Sequence, residues 1–253
     1  MGFPMTDQDV PRADTEQMIE VDRAMIEDYH IALIQMMENA GRNLAHLARM
    51  RFFEGDPRGR RVLVMAGSGG NGGGALVAAR RLSNWGSEVV VALGQTPEAM
   101  TPIPAKQLDI LQRMGVTGTE AAVEIEKLSS LAARDPVDLV IDGLIGYSLK
   151  GAPRGLIGDL INFANDVAAP TLALDAPSGI DTASGAIHDP AIEAVATMTL
   201  ALPKEGLFGE SVAKLVGELY LADISVPPAL YRKPPLNKVV DPLFAHNDIV
   251  RIA

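Results

Sequence analysis

Residues 61–75 read Arg-Val-Leu-Val-Met-Ala-Gly-Ser-Gly-Gly-Asn-Gly-Gly-Gly-Ala. An apolar run, Arg61–Ala66, passes without a break into six glycines within eight positions, and residues 71–85 then carry a helical pattern. A strand that enters a glycine loop and leaves it as a helix is the opening unit of a parallel α/β sheet. Backbone N–H groups in such a loop approach an anion closely, and the helix N-terminus adds partial positive charge, so phosphate binding is the natural inference. A tight turn for helix–strand packing is the competing use, but six glycines exceed what a turn requires. Gly67, Gly69 and Gly72 satisfy the dinucleotide fingerprint literally, yet the next apolar run, Glu88–Leu93, continues into Gly94-Gln95 where an acidic residue would be needed. No Gly-Lys-Ser/Thr follows, so the loop is not of the Walker type.

The pattern repeats outward from that unit. Strands are expected over residues 61–66, 88–93, 137–142, 171–175, 196–202 and 217–223, with helices over 71–85, 104–114 and 156–166 between them. Near-continuous apolar runs indicate strands buried on both faces. Upstream, Met18, Val21, Met25 and Ile26, then Leu33, Ile34, Met37, Leu44, Leu47 and Ala48, recur at helical spacing. Two helices with a break near residues 29–31 are expected, the first capped by Asp14 with Gln17. Gly41 within that pattern implies close packing. The expectation is a three-layer αβα, Rossmann-like domain with a mostly parallel sheet and N-terminal helices packed against it. One domain is expected over 1–253, with 1–13 as a flexible arm and 227–253 as an extended tail on the surface.

Composition narrows the function classes. The 253 residues include 32 acidic and 22 basic side chains, a net charge of −10, which argues against a nucleic-acid partner. Cysteine is absent, excluding disulfides, a thiol nucleophile and thiolate metal sites. The polar, acidic start has no basic region followed by an apolar core, and no apolar stretch approaches the length of a membrane span. A cytoplasmic protein without a membrane partner is expected.

In doubly wound sheets ligands bind where strands end, and two further groups lie there. Asp142 closes one strand and is followed by Gly143-Leu144-Ile145-Gly146-Tyr147-Ser148-Leu149-Lys150-Gly151. Its carboxylate suits a cation or a ligand hydroxyl, or else caps the next helix. Asp175 closes another strand and leads into Ala176-Pro177-Ser178-Gly179. If desolvated, it is a candidate general acid/base, since burial raises a carboxyl pKa toward neutrality; capping a turn is its alternative use. Ser178 lacks the elbow of a hydrolase nucleophile. The four histidines show no metal spacing. Asn71, Asp142 and Ser178 together offer oxygen ligands only, which suits a hard cation over zinc or copper.

These residues resemble the NAD(P)H-hydrate epimerase family, the YjeF N-terminal domain type. The resemblance runs from about Thr15 to Asp223. It rests on Met18 and Asp22 followed by Met37-Glu38-Asn39-Ala40-Gly41, on the glycine loop, on Asp142–Gly146, on Asp175–Gly179 and on Leu202-Pro203-Lys204-Glu205-Gly206-Leu207. It implies interconversion of the R and S forms of hydrated NADH or NADPH, so that a separate dehydratase can restore the cofactor. It also implies a potassium ion at Asn71, Asp142 and Ser178. The dinucleotide would contact Gly70, Asn71, Gly72, Gly73 and Gly74, together with Gly146, Tyr147, Ser148, Leu149, Lys150, Gly151 and Ala152. Asp175 would bind substrate and transfer the proton at the hydrated ring carbon, with Lys204 as a helper. A homodimer is expected from the family and from the apolar N-terminal helices, and the family's dehydratase domain is expected to be absent.

The chain also departs from the family pattern. The usual loop is Gly-Asn-Asn-Gly-Gly-Asp-Gly, whereas Gly70 stands for the first Asn and Gly74 for the Asp. Tyr147-Ser148 stands where Thr-Gly is common. The lost carboxylate near the phosphates leaves open a non-catalytic nucleotide-binding or scaffold module of the same fold, or an enzyme acting on another nucleotide.

Overall fold

A computed structural model describes residues 2–6, 8–119 and 121–253. The apolar runs form strands β1 (Arg61–Ala66), β2 (Glu88–Leu93), β3 (Leu139–Gly143), β4 (Thr171–Leu174), β5 (Ala196–Leu200) and β6 (Glu218–Ala222). A last strand, β7 (Ile249–Arg251), completes a seven-stranded sheet of order β2-β1-β3-β4-β5-β6-β7. Every pairing is parallel except β6 with β7. Burial on both faces of β1 and β3 explains their unbroken apolar character.

Helices cover both faces. Helices α2 (Leu33–Phe52), α3 (Gly70–Asn84) and α4 (Pro102–Arg113) share one core layer with Val62, Val64, Leu139, Ile141, Leu172 and Met198. On the other face α5 (Ile125–Arg134) and α6 (Leu156–Asp166) pack on Leu63, Met65, Val140 and Ala173. Helices α2 and α3 touch closely at Gly41, where a Cβ would lie 2.4 Å from the Gly74 carbonyl.

Helix α1 (Thr15–Glu27) takes a different place. Asp14 caps it, its Oδ1 accepting from Gln17 N at 2.8 Å while its own N–H donates to Gln17 Oε1 at 3.2 Å. Met18, Val21 and Met25 pack on Met36 and Ala40, on Ala201 and Leu202 just after β5, on Ile224 just after β6, and on Leu230 and Tyr231. The helix therefore lies over the carboxyl ends of β5 and β6.

Both chain ends differ from expectation. The segment 227–253 is not an extended surface tail: it forms α8 (Pro228–Tyr231), buries Leu230, Tyr231, Leu236, Ile249 and Val250, and adds β7 to the sheet edge. The reason is the open edge of β6, whose unpaired backbone groups β7 satisfies. Backbone bonds tie down the arm, among them Thr6 N–H to Arg251 O at 3.0 Å and Ala13 N–H to Pro203 O at 2.9 Å; Met1 and Asp7 lie outside the described residues. A short helix, α7 (Ala213–Val216), precedes β6. Among the described residues no helix is long and apolar enough to cross a membrane.

The chain runs from β1 to β2 on one side and then crosses to β3 on the other. The loops leaving β1 and β3 diverge at this reversal and open a crevice at the carboxyl edge.

Candidate functional site

The crevice leads to a cavity of about 280 Å³. Gly70, Asn71 and Gly74 from the first turn of α3, Gly146, Tyr147 and Ser148 from the loop after β3, and Asp175 after β4 line it. Lys204, Asp22 and a set of apolar side chains from α1 and α2, including Met18, Met36 and Met37, close the rest.

Asp175 is the most constrained of these residues. Its φ is +67°, a left-handed conformation that is uncommon outside glycine and that clusters at functional sites. The carboxylate is buried, with Oδ1 paired to the Lys204 ammonium and Oδ2 accepting from Tyr147 N–H at 3.1 Å. Lys204 is 0% exposed, and its remaining donors go to Leu200 O at 2.8 Å and Thr199 Oγ1 at 3.1 Å. The charges thus meet inside the protein, which holds the carboxylate in one orientation at the cavity wall.

Asp142 is buried as deeply but differently. Its Oδ1 accepts from Ser178 Oγ at 2.7 Å and Leu144 N–H at 3.1 Å, and its Oδ2 accepts from Ser178 N–H at 2.8 Å. Ser178 Oγ also accepts from Ile145 N–H at 2.9 Å. Burial pushes the Asp142 carboxyl up to about 6, against the lowering effect of these hydrogen bonds. Asn71 reaches the same loop at Gly146, and its Nδ2 is buried without a hydrogen-bond partner among the described residues. A Cβ built on Gly146 would meet Asn71 Oδ1 at 3.3 Å and Asp175 Oδ2 at 3.1 Å, so Gly146 lets the two side chains converge.

The predicted residues therefore separate into groups. Gly70, Asn71, Gly74, Gly146, Tyr147, Ser148 and Asp175 meet at the cavity, with Asp142 and Ser178 directly behind it. Gly72 and Gly73 are buried in the helix packing, where a Cβ on Gly72 would lie 1.9 Å from Gly67 O and one on Gly73 2.6 Å from Met37 Sδ. Leu149, Lys150, Gly151 and Ala152 continue the loop toward α6 without lining the cavity. A larger groove of about 890 Å³ between α5 and α6 is lined by none of the predicted residues.

Sequence reasoning missed one member of the site. Tyr147 donates its hydroxyl to Asp22 Oδ2 on α1. Burial, together with the nearby Asp175 charge, raises the Asp22 carboxyl above its usual value. Burial first, then Asp22, holds the Tyr147 phenol well above its ordinary range. A signal was present in the sequence: Asp22 falls four residues after Met18 on the apolar stripe of the helix, where a carboxylate needs a reason.

A parallel doubly wound sheet with a polar cavity at its strand-order reversal defines a ligand-binding α/β protein. Comparison narrows this class. The family model described as YjeF-related protein N-terminus matches residues 33–206, and the chain belongs to that family. It is 40% identical to an NAD(P)H-hydrate epimerase of Dehalogenimonas lykanthroporepellens over 90% of this chain and 87% of the relative. It is 36% identical to one of Cenarchaeum symbiosum, covering 76% and 85% of the two chains. A bifunctional NAD(P)H-hydrate repair enzyme Nnr of Moorella thermoacetica is 38% identical over 85% of this chain, which spans 40% of that longer protein. Among solved structures, yeast ynu0 superposes with a TM-score of 0.77 over 96% of this chain and 100% of the other at 23% identity, a likeness of fold.

Proposed function

We propose that this protein is an NAD(P)H-hydrate epimerase, an isomerase of nicotinamide nucleotide repair, with Asp175 as its acid/base. The observation that carries the reading is the Asp175 carboxylate, strained, buried and fixed by Lys204 and the Tyr147 N–H at the cavity wall, in a chain 40% identical to a protein of that name. The R and S forms differ at one hydroxyl-bearing ring carbon. Inverting that carbon requires a bond to it to break and re-form on the opposite face, with a proton moving at the hydroxyl oxygen. Asp175, whose Oδ1 is bound to the Lys204 ammonium, is the group that moves this proton. Gly70, Asn71 and Gly74 at the start of α3, with Gly146, Tyr147 and Ser148, bind the dinucleotide, the helix N-terminus facing its phosphates.

Asn71, Asp142 and Ser178 would hold a potassium ion. Two features fit it: a wholly buried carboxylate whose hydrogen-bond partners among the described residues are all neutral, and the Asn71 side-chain oxygen, which faces Gly146 on the loop that follows Asp142. Oxygen donors alone match a hard cation. Such an ion supplies charge compensation, keeping Asp142 ionised and fixing the loops after β3 and β4. The protein acts in the cytoplasm as a homodimer on a substrate that a separate dehydratase consumes; the longer relatives named bifunctional are consistent with that coupling.

A coupled assay tests the function. Purified protein is added to R-enriched NADH hydrate with an excess of an S-specific dehydratase in potassium buffer. The reading requires faster recovery of NADH absorbance than dehydratase alone gives. Recovery at the dehydratase-only rate would leave a nucleotide-binding module that retains the cavity without the chemistry.

A further inference from the structure

Asp22 has no part in the scheme above, yet it is the second carboxylate of the same cavity. It comes from α1, a helix that precedes the segment matched by the family model. A single residue joins it to Asp175: Tyr147 donates its backbone N–H to Asp175 Oδ2 and its hydroxyl to Asp22 Oδ2. Asp175 has Lys204 against it, whereas the hydrogen-bond partner of Asp22 among the described residues is the neutral phenol. The two carboxyls thus sit in opposed environments, one bound to an ammonium and one that burial inclines to keep its proton. Such a split between paired carboxyls marks a division into base and acid.

The chemistry calls for both. The C–O bond at the hydroxyl-bearing carbon breaks with its electron pair going to oxygen, which takes a proton and departs as water. The ring nitrogen's lone pair fills the gap at carbon. Water then adds to the opposite face and gives up a proton to a base, and exchange with solvent resets the two groups. One carboxylate fixed in one orientation serves one face of a planar ring. We propose that Asp22, acting through the Tyr147 hydroxyl, delivers the proton to the departing oxygen while Asp175 receives the one released at the other face. Heavy-atom positions leave the phenol hydrogen free to rotate, so a protonated Asp22 donates to the Tyr147 oxygen and the phenol donates into the cavity. Tyr147 is the group that meets the substrate, and Asp22 acts through it.

The charged and titratable groups facing Asp22 are Tyr147 from the loop after β3, Asp175 after β4 and Lys204 after β5. From α2 and α8 its helix meets Met36, Ala40, Leu230 and Tyr231, the last with its hydroxyl donated to Ala201 O. No lysine or arginine side chain among these is placed to hold Asp22 ionised except Lys204, which is already bound to Asp175.

The inference rests on the epimerase reading, and its test separates the two. Initial rates are measured across pH, with the coupling dehydratase in excess, for the wild type and for Asp22→Asn, Asp22→Glu and Tyr147→Phe, each checked by its melting temperature. An inactive wild type overturns the epimerase reading and this inference with it. With an active wild type, kcat should fall as pH rises through the ionisation of Asp22, whose carboxyl burial lifts above its usual value. Asp22→Asn and Tyr147→Phe should each lower kcat by roughly 10²-fold and lose that descending limb, as removal of a general acid requires. KM should stay within about threefold, and Asp22→Glu should restore the limb and part of the rate. Variants that keep kcat within about threefold with the wild-type pH profile, or that lose only in KM, would overturn the inference alone. Asp22→Asn keeps an oxygen for the Tyr147 hydroxyl. Should it nonetheless fail to fold, Tyr147→Phe, which removes only the hydroxyl, decides by the same criteria.

Discussion

Asp142 and Asp175 are both buried aspartates at strand ends, and their different partners give them different predicted behaviour. Asp175 is met by a buried cation. Lys204→Met leaves a buried carboxylate unpaired and should cost about 3–5 kcal/mol in urea unfolding. Adding Asp175→Asn to that variant should recover part of the loss, since the double change removes both charges. Asp142 has only neutral donors among the described residues, and its carboxyl is pushed up to about 6 by burial. The folded state therefore binds this proton more tightly than the unfolded chain does. Its contribution to stability is most favourable below 3.8 and falls as pH rises toward about 6, beyond which the penalty is constant. A cation beside it offsets that penalty only while Asp142 is ionised. Potassium in place of choline should then raise the melting temperature above about pH 6 and much less below it, as binding linkage requires. Asp142→Asn should abolish the difference, and a potassium effect that ignores both pH and the substitution would refute the cation site.

At the scale of elements, the N-terminus of α3 is set by backbone contact. A Cβ on Gly72 would lie 1.9 Å from the Gly67 carbonyl, an atom that cannot move without shifting the loop. Gly72→Ala should cost about 1–3 kcal/mol of unfolding free energy and weaken substrate binding, readable in urea titration and in KM. The elements that came clearly from the sequence are those with a strong period or an unbroken apolar run: β1, β2 and α6 fall on the expected residues. Helix α5 was missed although Ile125, Leu128 and Leu131 recur at helical spacing, because the run is short and Leu128 alone in it is fully buried. Strand β7 was missed because three residues carry no alternation, and only the open edge of β6 makes a strand of them. In the site, Asp142, Asp175 and Asn71 were legible because Asp142 lies at the end of β3, Asp175 directly follows β4, and Asn71 sits in the glycine run that links β1 to α3. For Asp22 the sequence showed a carboxylate on the apolar stripe of α1 but not its place in the site, because only tertiary packing brings α1 across the carboxyl edge.

For the whole molecule, the two chain ends hold the sheet edge together. Arg251 N–H donates to Pro4 O at 2.8 Å and Thr6 N–H to Arg251 O at 3.0 Å, so the N-terminal segment borders β7 while β7 borders β6. Removing residues 248–253 would bare the β6 edge and the contacts of buried Ile249 and Val250. The truncated protein should lose several kcal/mol, about 2–5 for each large buried aliphatic side chain lost, and should associate through that edge, seen as rising light scattering. The site depends on the same long-range order. Its loops leave β1, β3 and β4, its closing lysine follows β5, and α1 covers it from the N-terminus. The most direct measurement is chromatographic separation of the R and S hydrates of NADH during incubation with catalytic amounts of protein and no dehydratase. Epimerisation predicts that pure R and pure S each relax to the same mixture at a rate proportional to wild-type protein, with Asp175→Asn close to the uncatalysed rate. Relaxation no faster with protein than without it, or equally fast with Asp175→Asn, would contradict the account.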